Sequence, residues 1–247
     1  EGKVAGVQIT SDGQPGADPS VRIRGLGSFG STAPLYVIDG VPMGTTIRDF
    51  SPNDIETIQV LKDASATAIY GAQGANGVIL ITTNRGKAGE AKFTYDGMFA
   101  VSQQNRRVDM MNLREYAEFY NELISIGEIY QNNAYYADPS ILGVGTNWQD
   151  AIFQTALQHQ HQVSASGGTD KVQYYVSGSY MDQEGTIIGS NFERFSVRTN
   201  LDAQLKKWLK LGVNATYSNT VDDLKLADGE AGIVFSSLNS LPDIPIY

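Results

Sequence analysis

The chain has 247 residues, with 18 basic and 27 acidic side chains for a formal net charge of −9, 41% hydrophobic residues and no cysteine. That acidic balance argues against nucleic-acid binding, which needs a basic face to neutralise phosphates, and the lack of cysteine excludes thiol catalysis, disulfides and thiolate metal sites. No apolar run approaches the ~18 residues of a spanning helix, whereas a β-barrel, whose strands alternate, stays open.

Residues 1–88 read as a small, glycine-rich α+β domain. Val21-Arg-Ile-Arg24 alternates and predicts a strand with Val21 and Ile23 on one face. Leu35-Tyr-Val-Ile38, closed by Asp39-Gly40, is a strand ending in a turn. Ser51-Pro52-Asn-Asp54 carries the start signature of a short helix, with Ser51 as its cap. Ile58-Gln-Val-Leu61 gives a third strand, and Asp63 is placed to cap a helix over Ala64 to Tyr70 that Gly71 stops. Val78-Ile-Leu-Ile-Thr-Thr83 is a fourth strand, too apolar to face water on either side.

Beyond Gly89 the pattern alternates, implying strands of roughly ten residues or more. Five such stretches are predicted: around Ala91–Ser102, Leu157–Gly167, Val172–Met181, Arg194–Asp202 and Leu209–Ser218. At ~3.3 Å per residue and ~40° of tilt, eleven residues rise roughly 28 Å, a bilayer-spanning length. The polar face carries Arg194, Arg198 and Asp202, and an arginine facing lipid at the midplane costs ~2–4 kcal/mol, so that face is expected to be the lumen. Turns at Gly167-Gly-Thr-Asp170 and Lys206-Lys207 are short, while the other connectors are long and polar, as in an outer-membrane barrel. The first long connector holds an amphipathic helix, Leu113 to Ile124, whose stripe of Leu113, Tyr116, Ala117, Tyr120 and Leu123 is expected on a barrel rim or a partner. Five strands close no barrel, and alternation alone fits a soluble sandwich as well.

Five runs in the first domain bear on that choice. Gly2-Lys-Val-Ala-Gly-Val-Gln-Ile9, Val21-Arg-Ile-Arg-Gly25, Pro34-Leu-Tyr-Val-Ile-Asp-Gly-Val-Pro42, Asp54-Ile-Glu-Thr-Ile-Gln-Val-Leu-Lys-Asp-Ala-Ser65, and Ala68-Ile-Tyr-Gly71 with Gly74-Ala-Asn-Gly-Val-Ile-Leu-Ile-Thr-Thr83 resemble the plug of TonB-dependent outer-membrane transporters. The Lys-Asp-Ala-Ser and Gly-Ala-Asn-Gly-Val-Ile forms resemble the SusC/RagA branch more than the ferric-siderophore and cobalamin receptors, which share the Arg-Gly, Asp-Gly-Val-Pro and Tyr-Gly signatures. Trp148-Gln-Asp-Ala-Ile-Phe153, the Ser164-Ala-Ser-Gly-Gly168 turn and Tyr174 to Gly185 resemble that branch's first barrel strands.

The resemblance implies a plug domain over 1–88 and the first five strands of an outer-membrane β-barrel over 89–247. It implies a plugged barrel of about 22 strands in the whole protein, of which this chain is expected to be the N-terminal part. The implied function is TonB-dependent import of oligosaccharides or peptides. The implied partners are a SusD-like surface lipoprotein, TonB through a segment outside this chain, and outer-membrane lipid. A non-transporting binding or scaffold module is the alternative from another class.

Motifs for catalysis are missing: there is no G-x-S-x-G, P-loop or H-E-x-x-H. Gly25-Leu-Gly27-Ser-Phe-Gly30 spells the dinucleotide fingerprint, but Ser31-Thr-Ala-Pro34 leads into a strand, not the helix that fingerprint requires. No cofactor is expected. The resemblance makes this an apical plug loop, with Arg24, Ser28 and Phe29 as candidate cargo contacts and Arg48 and Asp49 in a second such loop. The competing role for Arg22 and Arg24 is pairing with wall carboxylates to hold the plug. His159 and His161 share a strand face at metal-pair spacing without a third ligand, and are read as lumen or interface residues, so no metal is expected. Asp222-Asp223 with Asp228-Gly-Glu230 reads as a solvated acidic loop.

Overall fold

A computed structural model describes residues 7–10, 13–23, 32–63, 68–131, 133–225, 229 and 232–246. The chain divides into two compact units: Glu1–Ala100 with Leu157–Glu184 and Asn191–Asp222, and Val101–Ala156 with Gly185–Ser190 and Asp223–Tyr247.

The first unit begins with a hairpin of β1 (Val7–Thr10) and β2 (Ser20–Ile23), paired antiparallel. A four-stranded sheet follows, made of β3 (Leu35–Ile38), β4 (Val41–Gly44), β5 (Ile55–Leu61) and β6 (Val78–Thr83) in the order β4-β3-β6-β5. The central pair, β3 and β6, is parallel and the flanking pairs antiparallel. Asp39 and Gly40 join β3 to β4 with φ of 48° and 86°, the backbone that a two-residue hairpin loop demands. Val21 and Ile23 of β2 pack with Tyr36, Ile38, Phe50, Ile79 and Ile81 in one apolar core, and Leu35, Val37 and Val78 form a second cluster. Burial on both faces explains the unbroken apolar runs of β3 and β6.

Two expected helices take other forms. Pro52–Asp54 is a single 3-10 turn, and Ser51 does not cap it through its side chain. The expected helix over Ala64 to Tyr70 begins outside the described residues, and Ala68–Gly74 forms 3-10 turns broken at Gly71, with φ 56° and ψ −144°.

All five long strands are present: β7 (Gly89–Ser102), β8 (Ala156–Gly168), β9 (Val172–Glu184), β10 (Asn191–Lys206) and β11 (Leu209–Asp223). They form one sheet in sequence order, with β8–β9 and β9–β10 antiparallel in unbroken register. At 13 to 16 residues each, they exceed the ~10 residues that a ~25 Å apolar band requires at ~40° of tilt. Among the described residues the sheet is open, as five strands must be.

The second unit carries α1 (Leu113–Ser125), α2 (Trp148–Ile152) and α3 (Ile233–Asn239). Asn112 caps α1 in a reciprocal box: its side chain accepts from the Glu115 amide at 3.0 Å, and its own amide donates to Glu115 Oε2 at 2.9 Å. The apolar stripe of α1 is used within this unit, where Leu113 and Ala117 pack with Tyr136 and Leu142. The Tyr136 hydroxyl donates to Asp243 Oδ2 at 2.5 Å. Burial, then that hydrogen bond and the Asp243 charge, push the phenol well above its ordinary range.

Candidate functional site: the polar seam between plug and wall

Alternation along β10 sends Phe192, Arg194, Ser196, Arg198 and Asn200 to one face, where all five are buried. This face meets the four-stranded sheet. Arg198 Nη2 donates to Asp39 Oδ2 at 2.6 Å and to Thr83 Oγ1 at 2.7 Å, and its Nη1 donates to Thr216 Oγ1 at 2.8 Å. The guanidinium lies over the Phe50 ring, 5.1 Å from its centroid. Thr83 donates its hydroxyl to Asp39 Oδ2 at 2.5 Å and its amide to Asp39 Oδ1 at 3.0 Å. Asn200 Nδ2 reaches Thr83 Oγ1 at 3.1 Å and the Asn84 carbonyl at 2.7 Å. One rung further, Arg85 pairs with Asp202 at 3.4 Å. In the other direction Arg194 Nη1 donates to the carbonyls of Arg48 and Phe50, at 2.6 and 3.1 Å.

A second knot joins the same sheet to β8 and β9. Asp54, 3% exposed, accepts at Oδ1 from Gln162 Nε2 at 2.9 Å, the Tyr175 hydroxyl at 2.9 Å and the Ser177 hydroxyl at 2.7 Å. Ser51 donates to Gln162 Oε1 at 2.8 Å, which is why its side chain is absent from the cap of the turn that follows it. Three donors on one oxygen satisfy this buried carboxylate without a cation in the set.

Of the predicted contact residues, Arg24, Ser28 and Phe29 lie outside the described residues. Arg48 forms an ion pair with Asp222 and lies over the Phe192 ring. Asp222 therefore belongs to the end of β11 and anchors the plug, in place of the solvated loop expected for it. Asp49 is exposed, and among the described residues its carboxylate has no hydrogen-bond or ion-pair partner. No carboxylate among the described residues pairs with Arg22, whose Nε is buried and unpartnered. Burial pushes the Asp18 carboxyl up, and Asp49 adds to that rise against the pull of the Ile47 amide and Arg48.

The histidines sit on the opposite face from Gln160 and Gln162. Tyr95 of β7 bonds His161 Nδ1 at 2.7 Å, Phe99 meets both imidazoles, and His159 pairs with Asp182 at 3.5 Å. They belong to the sheet face turned away from Asp54 and its partners, and not to the face of Arg194 and Arg198 expected to be the lumen. Among the described residues no group of three or more His, Asp or Glu is arranged for a metal ion. The register aligns His161 with Tyr180 and Tyr180 with Phe195, a row of rings across three strands.

The comparisons with known proteins follow this division. Residues 1–78 match the TonB-dependent Receptor Plug Domain. The whole chain is 40% identical to TonB-dependent receptor SusC of Bacteroides thetaiotaomicron over 261 residues, and 35% identical to TonB-dependent receptor P3 of Formosa agariphila over 256 residues, covering 24% of each. The chain thus spans about a quarter of the length of the curated relatives it matches. In structure it is similar to a chain of the RagAB peptide importer in its closed-closed state, with a TM-score of 0.83 and 32% identity over 98% of this chain and 31% of that one. A matched plug followed by a two-faced antiparallel wall makes this chain a SusC/RagA-like part of a TonB-dependent receptor.

Proposed function

We propose that this chain supplies the plug, over 1–88, and the first wall strands, over 89–247, of an importer that moves oligosaccharides or peptides across an outer membrane. One observation carries the reading. On β10, Arg194 and Arg198 are 5% and 3% exposed against the plug, while Phe195 and Val197 between them are 48% and 36% exposed on the other face. A sheet that is apolar outward and charged inward fits lipid on one side and a filled lumen on the other.

The plug blocks the lumen until TonB pulls on it, and a SusD-like surface lipoprotein delivers cargo from above. Arg48 holds the plug, leaving Asp49 with Arg24, Ser28 and Phe29 as the candidate cargo contacts. The test is uptake of labelled oligosaccharides and peptides by cells expressing the full-length protein, with and without TonB, together with the proteins that co-purify in mild detergent. TonB-dependent uptake and a lipoprotein partner are expected. A protein that stays monodisperse without detergent and transports nothing would point to a binding module instead.

A further inference from the structure

We propose that the cavity bounded by the β3–β4 hairpin, the loop over 46–50 and the inner faces of β10 and β11 is a cargo subsite for a cationic group, ammonium or guanidinium, carried on an aliphatic stem as in a basic peptide. Asp49 is its charged contact. This rests on the importer reading and narrows its cargo.

The cavity measures about 390 Å3, with Asp49, Met43, Val41, Ile47, Asn214 and Ser218 on its walls. A second cavity on this seam, of about 420 Å3, is walled instead by polar side chains, among them Asn84, Arg85, Gln162 and Ser164. Along β8–β10 the inner side chains Gln162, Tyr175, Ser177, Arg198 and Asn200 are bonded to the plug. On β11, Thr216 accepts from Arg198, but Asn214 and Ser218 have no bond among the described residues, and the Ser218 hydroxyl is buried without a partner. A buried hydroxyl left unpaired is costly unless a ligand or water completes it.

The charges are equally uneven. Asp39 is fully engaged by Arg198 and Thr83. Arg48 is paired with Asp222, and Arg194, whose charge acts on Asp49, gives its Nη1 bonds to backbone carbonyls. Among the described residues Asp49 is a carboxylate without a hydrogen-bonded cation, and it shares the cavity wall with Val41 and Met43. An oligosaccharide stacks its rings on flat aromatic faces. Here the aromatic side chain in the lining is Phe50, 9% exposed and already beneath the Arg198 guanidinium. Aliphatic surface beside a free carboxylate suits instead the methylene stem and charged head of lysine or arginine.

The test uses the full-length transporter in mild detergent, free of other reactive thiols, with Met43→Cys as reporter. Its modification by methanethiosulfonate ethylammonium and by the anionic ethylsulfonate reagent is timed, each rate divided by that for a free thiol. A carboxylate focusing cations in a cleft should favour the cationic reagent about tenfold. Asp49→Asn should bring the ratio near one. A lysine-rich tetrapeptide should slow modification, and an uncharged maltooligosaccharide should not. Equal normalised rates, a ratio that survives Asp49→Asn, protection by the uncharged sugar alone, or a cysteine unreactive to both reagents would each overturn the subsite. Failure of the importer reading would appear separately, as loss of TonB-dependent uptake of every cargo by the unsubstituted protein.

Discussion

Arg198 and Asp39, 159 positions apart, meet through Nη2 and Oδ2 at 2.6 Å with both side chains 4% exposed. Removing one partner strands the other charge in the interior, which costs about 3–5 kcal/mol. Arg198→Met is therefore expected to lower the stability of the full-length protein by that amount. Asp39→Asn combined with it should cost clearly less than the two singles added. Urea unfolding of all four proteins in detergent measures the coupling, and strict additivity would show that the pair is not a unit.

A second weak point is geometric. A Cβ placed on Gly86 would overlap the backbone N and O of Tyr174 on β9, atoms fixed by the sheet ladder. Gly86→Ala must push plug and wall apart, and overpacking of this kind costs about 1–3 kcal/mol. The same substitution at Gly143, with nothing within 4 Å of its Cβ, should be near neutral. Thermal melts of the two variants compare them directly.

Tyr136 gives the second unit an alkaline sensitivity. Its phenol is raised by burial and by Asp243, so the folded chain keeps a proton that the unfolded chain releases near pH 10. Its contribution to stability is complete below pH 10 and is lost as pH rises through the higher folded value. Titration of phenolate absorbance in the folded protein should show a late-ionising fraction, to which the phenols of Tyr36 and Tyr116, raised by burial, also contribute, and Tyr136→Phe should reduce that fraction by one phenol. The substitution also deletes a hydrogen bond to a charged group, worth about 1.5–3 kcal/mol.

The outer face makes its own prediction. Val197 lies opposite Gly178, which lies opposite Val163, midway along these strands. Arginine there faces hydrocarbon and should cost about 2–4 kcal/mol, against ~0–1 kcal/mol nearer the interface at Leu205, on the same face near the end of β10. Barrel assembly followed by heat-modifiable gel mobility tests the ranking. Equal tolerance at both sites would count against lipid on this face.

How much of this was legible in the sequence depends on the range of the interactions. The five long strands were, because polar and apolar residues alternate along each, and so was the inward placement of Arg194 and Arg198. Strand β4, Val41–Gly44, was not, since all four residues are exposed and carry no period. The histidine face was readable after the fact: His159 and His161 share parity with Leu157 and Val163, which are 55% and 59% exposed. The Asp54 knot was out of reach, because its partners Gln162, Tyr175 and Ser177 lie more than a hundred positions away. Nothing local distinguishes a hub carboxylate from one in the first turn of the short helix that the Ser-Pro-Asn-Asp run suggests.

Thr83 gives one hydrogen to Asp39 and accepts two, from Arg198 and Asn200, so its hydroxyl has a single orientation. That saturation works as a key for vertical alignment. Sliding β10 by one repeat, ~6.6 Å, would set Ser196 or Asn200 against Asp39 and leave this buried carboxylate with only the half-exposed Arg85, 3.9 Å away, and no hydrogen-bonded guanidinium. Because β8, β9 and β10 run in continuous register, fixing the height of one fixes all three. A single guanidinium thus sets how far the wall stands above the plug, and a shear error in assembly is rejected at the first strand that carries it.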